Sequence, residues 1–178
     1  MTVEFKKEDQ KQMTKWIGGR KKYKLLYKAS RDGCTATAFH NTCNNKGPNV
    51  TILYNKNNFI YGGYTSLSWK SVGNYQVDTK SFLFRLYQNG NWKPVQMPVN
   101  NTQNSIYDNA SYGPTFGAHD LHAFTNTINF DGQMFSLNGS ATFGTSYTMN
   151  GETYKTIADG NLQVKDIEVY QVEGKYKY

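Results

Sequence analysis

The sequence predicts an α+β domain that is mostly β, and three observations carry the prediction. Aromatic residues make up 15% of the 178-residue chain, with Tyr the commonest, and Asn, Thr, Ser and Gly are plentiful; that mixture disfavours helix and favours strands joined by turns. Short apolar or alternating runs recur along the chain. Turn dipeptides separate several of them, at Asn89-Gly90, Asp131-Gly132 and Asn150-Gly151. The length fits a single domain with a real core.

The elements follow in order. Lys7 to Trp16 reads as a short helix, with Met13, Trp16 and Ile17 on one face and Gly18-Gly19 as its stop. Tyr23 to Lys28 has strand character. Cys34 to Asn44 reads as a second helix, with Asp32 as its N-cap, a small and apolar stripe along it, and Gly47-Pro48 ending it. Asn49–Tyr54 and Phe59–Thr65 form a hairpin around Asn55–Asn58. The paired glycines Gly62 and Gly63 predict a bulge or a close backbone approach. Ser81–Leu86 is a strongly apolar, central strand, and Trp92–Val99, with two prolines, an edge. Tyr107–Phe116 reads as loop or edge, and His119–Phe124 and Asn126–Phe130 as strands. Asn150-Gly151 joins Tyr147–Met149 to Glu152–Tyr154 as a hairpin. The last strand is Leu162–Val172, with its alternation slipping near Lys165-Asp166 as at a bulge. Residues 1–24 form an N-terminal helical segment packed on the domain of residues 25–178, in a single domain overall.

Charge and chemistry narrow the function. Twenty Lys and Arg against thirteen Asp and Glu give +7. The charge gathers near the N-terminus, from Lys6 to Lys28, without the clustered aromatic interleaving of a nucleic-acid motif, and reads as a solvated basic face. The chain opens without an apolar leader region and has no run near the ~20 apolar residues of a membrane span. Cys34 and Cys43, nine positions apart on one expected helix, would hold their Cα atoms about 13 Å apart, too far for a disulfide. Two free thiols point to a reducing, cytoplasmic setting, with a secreted mature form as the alternative.

No catalytic constellation emerges. Nucleophile elbows and phosphate-binding glycine loops are absent, and no His or Cys set has metal-ligand spacing. His119 and His122, three apart in an expected strand, fall on opposite faces, and His40 is exposed or partly packed. Asp166 and Glu168 share a strand face, where paired carboxylates can do acid–base work or simply accept backbone N–H bonds. No cofactor is expected. The candidate binding residues are Trp69, Trp92, Asn101, Tyr112, His119, Asp120, Asp166 and Glu168.

Several blocks fall together in one order. Leu25–Gly33 leads to Ala38-Phe39-His40, Cys43 and Lys46-Gly47-Pro48. Ile60–Ser66 and Trp69 follow, then Asp78 with Ser81–Leu86. Tyr112–Leu121 comes next, and Val164–Tyr170 closes the series. In order and spacing they resemble the TLDc domain, from about Leu25 to Val172. Ser111-Tyr112 before Gly113-Pro114 looks closest to free-standing invertebrate or interferon-induced-like members. The chain departs from the family at Gly117-Ala118-His119, usually richer in glycine, and from Thr145 to Gly160, where a Gly- and acid-rich stretch is replaced.

The resemblance implies two antiparallel sheets packed as a sandwich with a few flanking helices. It also implies a non-catalytic binding module in stress or innate-immune protection, including oxidation resistance and interaction with subunits of the vacuolar proton-pumping ATPase. The composition offers an alternative, a lectin-like protein that binds carbohydrate through Trp69, Trp92, Tyr112 and Asn101. A thiol-based antioxidant enzyme using Cys34 or Cys43 ranks third.

Overall fold

The computed structural model describes residues 4–174. In chain order the first elements are α1 (Lys7–Ile17), β1 (Lys21–Lys28), α2 (Ala29–Asp32), β2 (Cys34–Thr35) and α3 (Ala36–Cys43). The middle of the chain supplies β3 (Asn49–Asn55), β4 (Ile60–Thr65), β5 (Asn74–Gln76), β6 (Phe82–Gln88), β7 (Asn91–Pro98) and a 3-10 turn, η1 (Thr102–Asn104). The last third supplies β8 (Ile106–Asp108), β9 (Thr115–Phe116), β10 (Leu121–His122), β11 (Thr127–Ile128), β12 (Phe135–Ser136), α4 (Tyr154–Ala158) and β13 (Gln163–Gly174).

A large antiparallel sheet runs β1-β13-β3-β4-β6-β7, with β12 added alongside β13. A small sheet runs β10-β9-β8-β5, and β11 pairs with β2. The core between the two sheets joins Leu53, Tyr61, Leu83 and Ile167 of the large sheet to Ile106, Phe116 and Leu121 of the small one, with Phe39 and Trp69 packed in. The opposite face of the large sheet, with Val50, Ile52, Phe84 and Leu86, is covered by α1 through Met13 and Trp16. The expected sandwich with flanking helices is therefore present.

The glycine pair sits in unbroken register between β3 and β6; the nearest shift falls between Ile60 and Tyr61. It marks close approach, since a Cβ on Gly63 would lie 2.7 Å from the Phe116 ring. Gly63 is thus where the small sheet presses an aromatic ring onto the backbone of the large one. The β13 bulge is present, between Val164 and Asp166.

Three local expectations are overturned. The helix expected from Cys34 begins at Ala36, because Thr35, not Asp32, caps it by accepting from the Ala38 N–H. Cys34 instead lies in β2, so the separation argued along one helix does not apply, although both thiols are free. The segment after Asn150-Gly151 turns as predicted, with φ of 52° and 83°, but continues into α4 rather than a returning strand. Thr153 caps that helix, and Glu152 is drawn to the buried Arg85. His119–Phe124 holds only a two-residue strand. Gly117 and His119 both take left-handed φ, 68° and 67°, and the chain turns there.

Candidate functional site

The eight candidate residues separate into buried supports and surface groups. Trp69 is fully buried; its indole N–H donates to Asn49 Oδ1 at 2.9 Å, and its ring meets Phe39 and Phe116 edge-on. The loop after β4 folds back beneath α3, pairing Trp69 with Asn44, and this removes Trp69 from any partner. Asp120 is also fully buried, and its carboxylate accepts the backbone N–H groups of Gly144, Thr145 and Ser146 at 2.9–3.0 Å. Gly117 is required beside it, because a Cβ there would meet Asp120 Oδ2 at 2.2 Å. Asn101 is exposed ahead of η1, and Trp92 is 43% exposed on β7.

Tyr112 and His119 come together, and they do so with rings that sequence reasoning passed over. On the outer face of the small sheet, Tyr75 of β5 stands directly opposite Tyr107 of β8, their centroids 4.8 Å apart. Tyr107 meets Tyr112 at 5.6 Å, and Tyr112 meets His119 at 5.9 Å and His122 at 4.4 Å. The two histidine rings lie 5.0 Å apart at 37°, so the expectation of opposite faces fails. The left-handed turn at His119 breaks the strand periodicity on which it rested. These separations fall in the range of favourable aromatic pairing.

The cluster is held from below. His122 bonds Thr115 Oγ1 through Nδ1 (2.8 Å) and Thr125 Oγ1 through Nε2 (2.9 Å). Burial, with the neighbouring His119, pulls its pKa down to about 4. His40 is buried rather than exposed. Its Nε2 donates to the carbonyls of Asn109 and Tyr112 at 2.8 and 2.9 Å, fixing the turn that presents Tyr112. At the free edge of β5, Val72, Tyr75 and Val77 are 49%, 39% and 52% exposed. The small sheet thus ends in an edge strand flanked by exposed apolar side chains and continuous with a row of rings. Strand alternation was the signal for Tyr75 and Tyr107, but β5 and β8 are three residues each, too short for it to stand out.

Comparison with known proteins places this architecture. The family model for the TLDc domain matches residues 5–173. The chain belongs to the TLDc family. It is similar to the mTOR-associated protein MEAK7 of Danio rerio, 28% identical over 65 residues (36% of this chain and 14% of that protein). The Gallus gallus MEAK7 is 35% identical over 66 residues, 37% of this chain and 14% of that protein. The Xenopus laevis MEAK7 is 26% identical over 115 residues, 61% of this chain and 24% of that protein. Each match thus spans less than a quarter of the relative.

In this TLDc domain the acidic pair is brought together and is occupied internally. Glu168 accepts from Lys28 Nζ (2.7 Å), Tyr54 Oη (2.7 Å) and Tyr170 Oη (2.8 Å), while Asp166 accepts from the N–H and hydroxyl of Ser30. Burial and the Glu168 charge push the Tyr54 phenol up, which keeps it a donor. The two carboxylates join β13 to β1 and β3, and they support the sheet as buried charges with full sets of partners do. Among the described residues no three His, Cys, Asp or Glu side chains are grouped to hold a metal ion.

The TLDc thiols are shielded. Cys34 borders a cleft of about 340 Å³ but is itself 2% exposed, and burial pushes both thiols up to about 12. Thiolate is the reactive form. Native protein at pH 8 is therefore expected to leave both cysteines unlabelled by iodoacetamide over an hour, and protein in urea to label both. Rapid labelling of either thiol in the native state would contradict this burial and revive the redox reading.

Proposed function

We propose that this chain is a non-catalytic, protein-binding module of the TLDc family, and that the aromatic outer face of the small sheet is its contact surface. One observation carries the proposal: Tyr75, Tyr107, Tyr112 and His119 form a continuous half-exposed row, extended at the β5 edge by Val72 and Val77. Rigid aromatic rings at low entropic cost are what protein interfaces use as anchors. The acidic candidates Asp120, Asp166 and Glu168 are taken up by internal bonds, which supports a binding role over acid–base chemistry.

The names of the MEAK7 relatives describe association with mTOR, which supports a protein as the partner. Contact with the vacuolar proton-pumping ATPase in stress protection is the finer form of the proposal. A carbohydrate reading has less to stand on. Trp69 is buried, and Trp92, Asn101 and Tyr112 lie on β7, before η1 and beside β9, with no common platform. The test is binding of purified pump subcomplexes and purified mTOR complex to immobilised wild type and to a Tyr75→Ser/Val77→Ser double variant. At about 2 kcal/mol for an anchor residue, the variant should bind one of them about 30-fold more weakly. Unchanged affinity in the double variant, or no binding by the wild type, would sink the proposal.

A further inference from the structure

A second surface lies on the far side of the large sheet, away from the aromatic face. Along α1, Lys7, Lys11 and Lys15 recur at four-residue spacing, and all three are exposed. That spacing aligns them as one ridge. Among the described residues none of the three forms an ion pair.

The ridge separates two grooves. On one side a groove of about 460 Å³ is walled by Glu8, Lys11, Gln12 and Lys15 of α1 and by Tyr87 and Trp92 of the β6–β7 hairpin. Trp92 and Tyr87 face each other across the strand pair with rings 5.1 Å apart at 70°. On the other side a groove of about 320 Å³ is walled by Lys7, Gln10, Lys11, Thr14, Lys21 and Tyr23. Lys11 borders both. Four lysines against one glutamate therefore frame two shallow grooves, one with an exposed indole in its wall.

We infer that this face docks an acidic peptide segment of a partner protein, with an aromatic or aliphatic side chain seated against Trp92 and Asp or Glu side chains along Lys7, Lys11 and Lys15. Charge complementarity selects the acidic segment: the chain carries +7 overall, and this ridge concentrates unpaired cations. Shape selects a peptide over a lipid surface. Trp92 and Tyr87 line one wall of a concavity opposite α1, and a concavity admits one side chain. Glu8 at the start of the groove sets a direction for a peptide and opposes a continuous layer of anionic headgroups. The inference stands apart from the small-sheet face, since no residue is shared.

The experiment is selection of a random dodecapeptide phage library on the whole chain, followed by fluorescence anisotropy of the enriched peptides. Enriched peptides should carry several Asp or Glu around an aromatic or aliphatic residue. Their Kd should rise at least tenfold in Lys11→Glu/Lys15→Glu and in Trp92→Ala, and should not change in Tyr75→Ser/Val77→Ser. The altered side chains are exposed, and unchanged thermal melts confirm that the variants fold. The inference is overturned by no enrichment, by enriched peptides without acidic bias, or by affinities indifferent to Lys11, Lys15 and Trp92. Sedimentation with phosphatidylserine vesicles in place of peptide enrichment, lost in the same variants, would also overturn it and assign the face to a membrane.

Discussion

Replacing Asp120 with Ala is expected to destabilise the domain by ~2–3 kcal/mol, read as a fall in the urea midpoint. The carboxylate is fully buried and is the acceptor for three consecutive backbone N–H groups, Gly144, Thr145 and Ser146. Burial lifts its pKa and the N–H bonds hold it back, with the net above the ordinary carboxylate value. Removing it strands the buried Ser146 N–H, where an unsatisfied group costs about 1–3 kcal/mol, and releases the N–H groups of Gly144 and Thr145, whose residues are exposed and can bond water instead. Asp120→Asn keeps an acceptor oxygen and should cost less than the Ala variant. The lost bonds lie in the segment leading to Tyr147, whose hydroxyl reaches Ser105. Amide exchange from Gly144 to Tyr147 should therefore accelerate before the rest of the sheet. A loss below about 1 kcal/mol in Asp120→Ala would show that Asp120 is not the anchor of that segment, and would return it to the list of contact residues.

The second large effect is in pH. His122 carries a pKa near 4 in the fold against 6.5 for the free side chain. Between those values the unfolded chain binds a proton that the folded chain refuses, so stability falls as pH drops through 6.5 and levels off below about 4. The whole shift corresponds to about 3 kcal/mol. Above pH 6.5 His122 is neutral in both states and contributes no slope. Asp120 works the other way, its raised pKa favouring the folded state as pH falls toward it. The clean measurement is therefore the difference between wild type and His122→Gln, determined by urea unfolding from pH 7 to pH 4. The gap between them should narrow, or change sign in favour of the variant, by up to ~3 kcal/mol on going to pH 4. A gap that is constant with pH would mean that His122 titrates alike in both states. Because His122 packs 4.4 Å from Tyr112, its protonation within the fold should also loosen the aromatic face, and partner affinity there should hold down to about pH 5 and drop as pH approaches 4.

Much of the large sheet was legible in the sequence. β3, β4 and β6 are apolar runs of six or seven residues, and long runs announce themselves. The prolines of β7 marked an edge strand, and the slipped alternation near Lys165 marked the β13 bulge. The small sheet was not legible. Its strands are two or three residues long, shorter than any period they could display. The site suffered most from this, since Tyr75 and Tyr107 sit on two of those strands.

Composition and local pattern thus determined the class of the fold, the sheet that forms its backbone and, through the order of the blocks, the TLDc family. They also determined that Asp166 and Glu168 would lie together, because neighbouring positions of one strand are a local matter. Only tertiary structure decided which polar groups would be consumed. Trp69 reads as a candidate binding residue until the loop folds under α3, and Asp120 as another until three backbone N–H groups from 24 to 26 residues later close on it. The two histidines share a face because a left-handed turn at His119 intervenes. Burial and partnership depend on segments far apart in the chain, and no local periodicity encodes them.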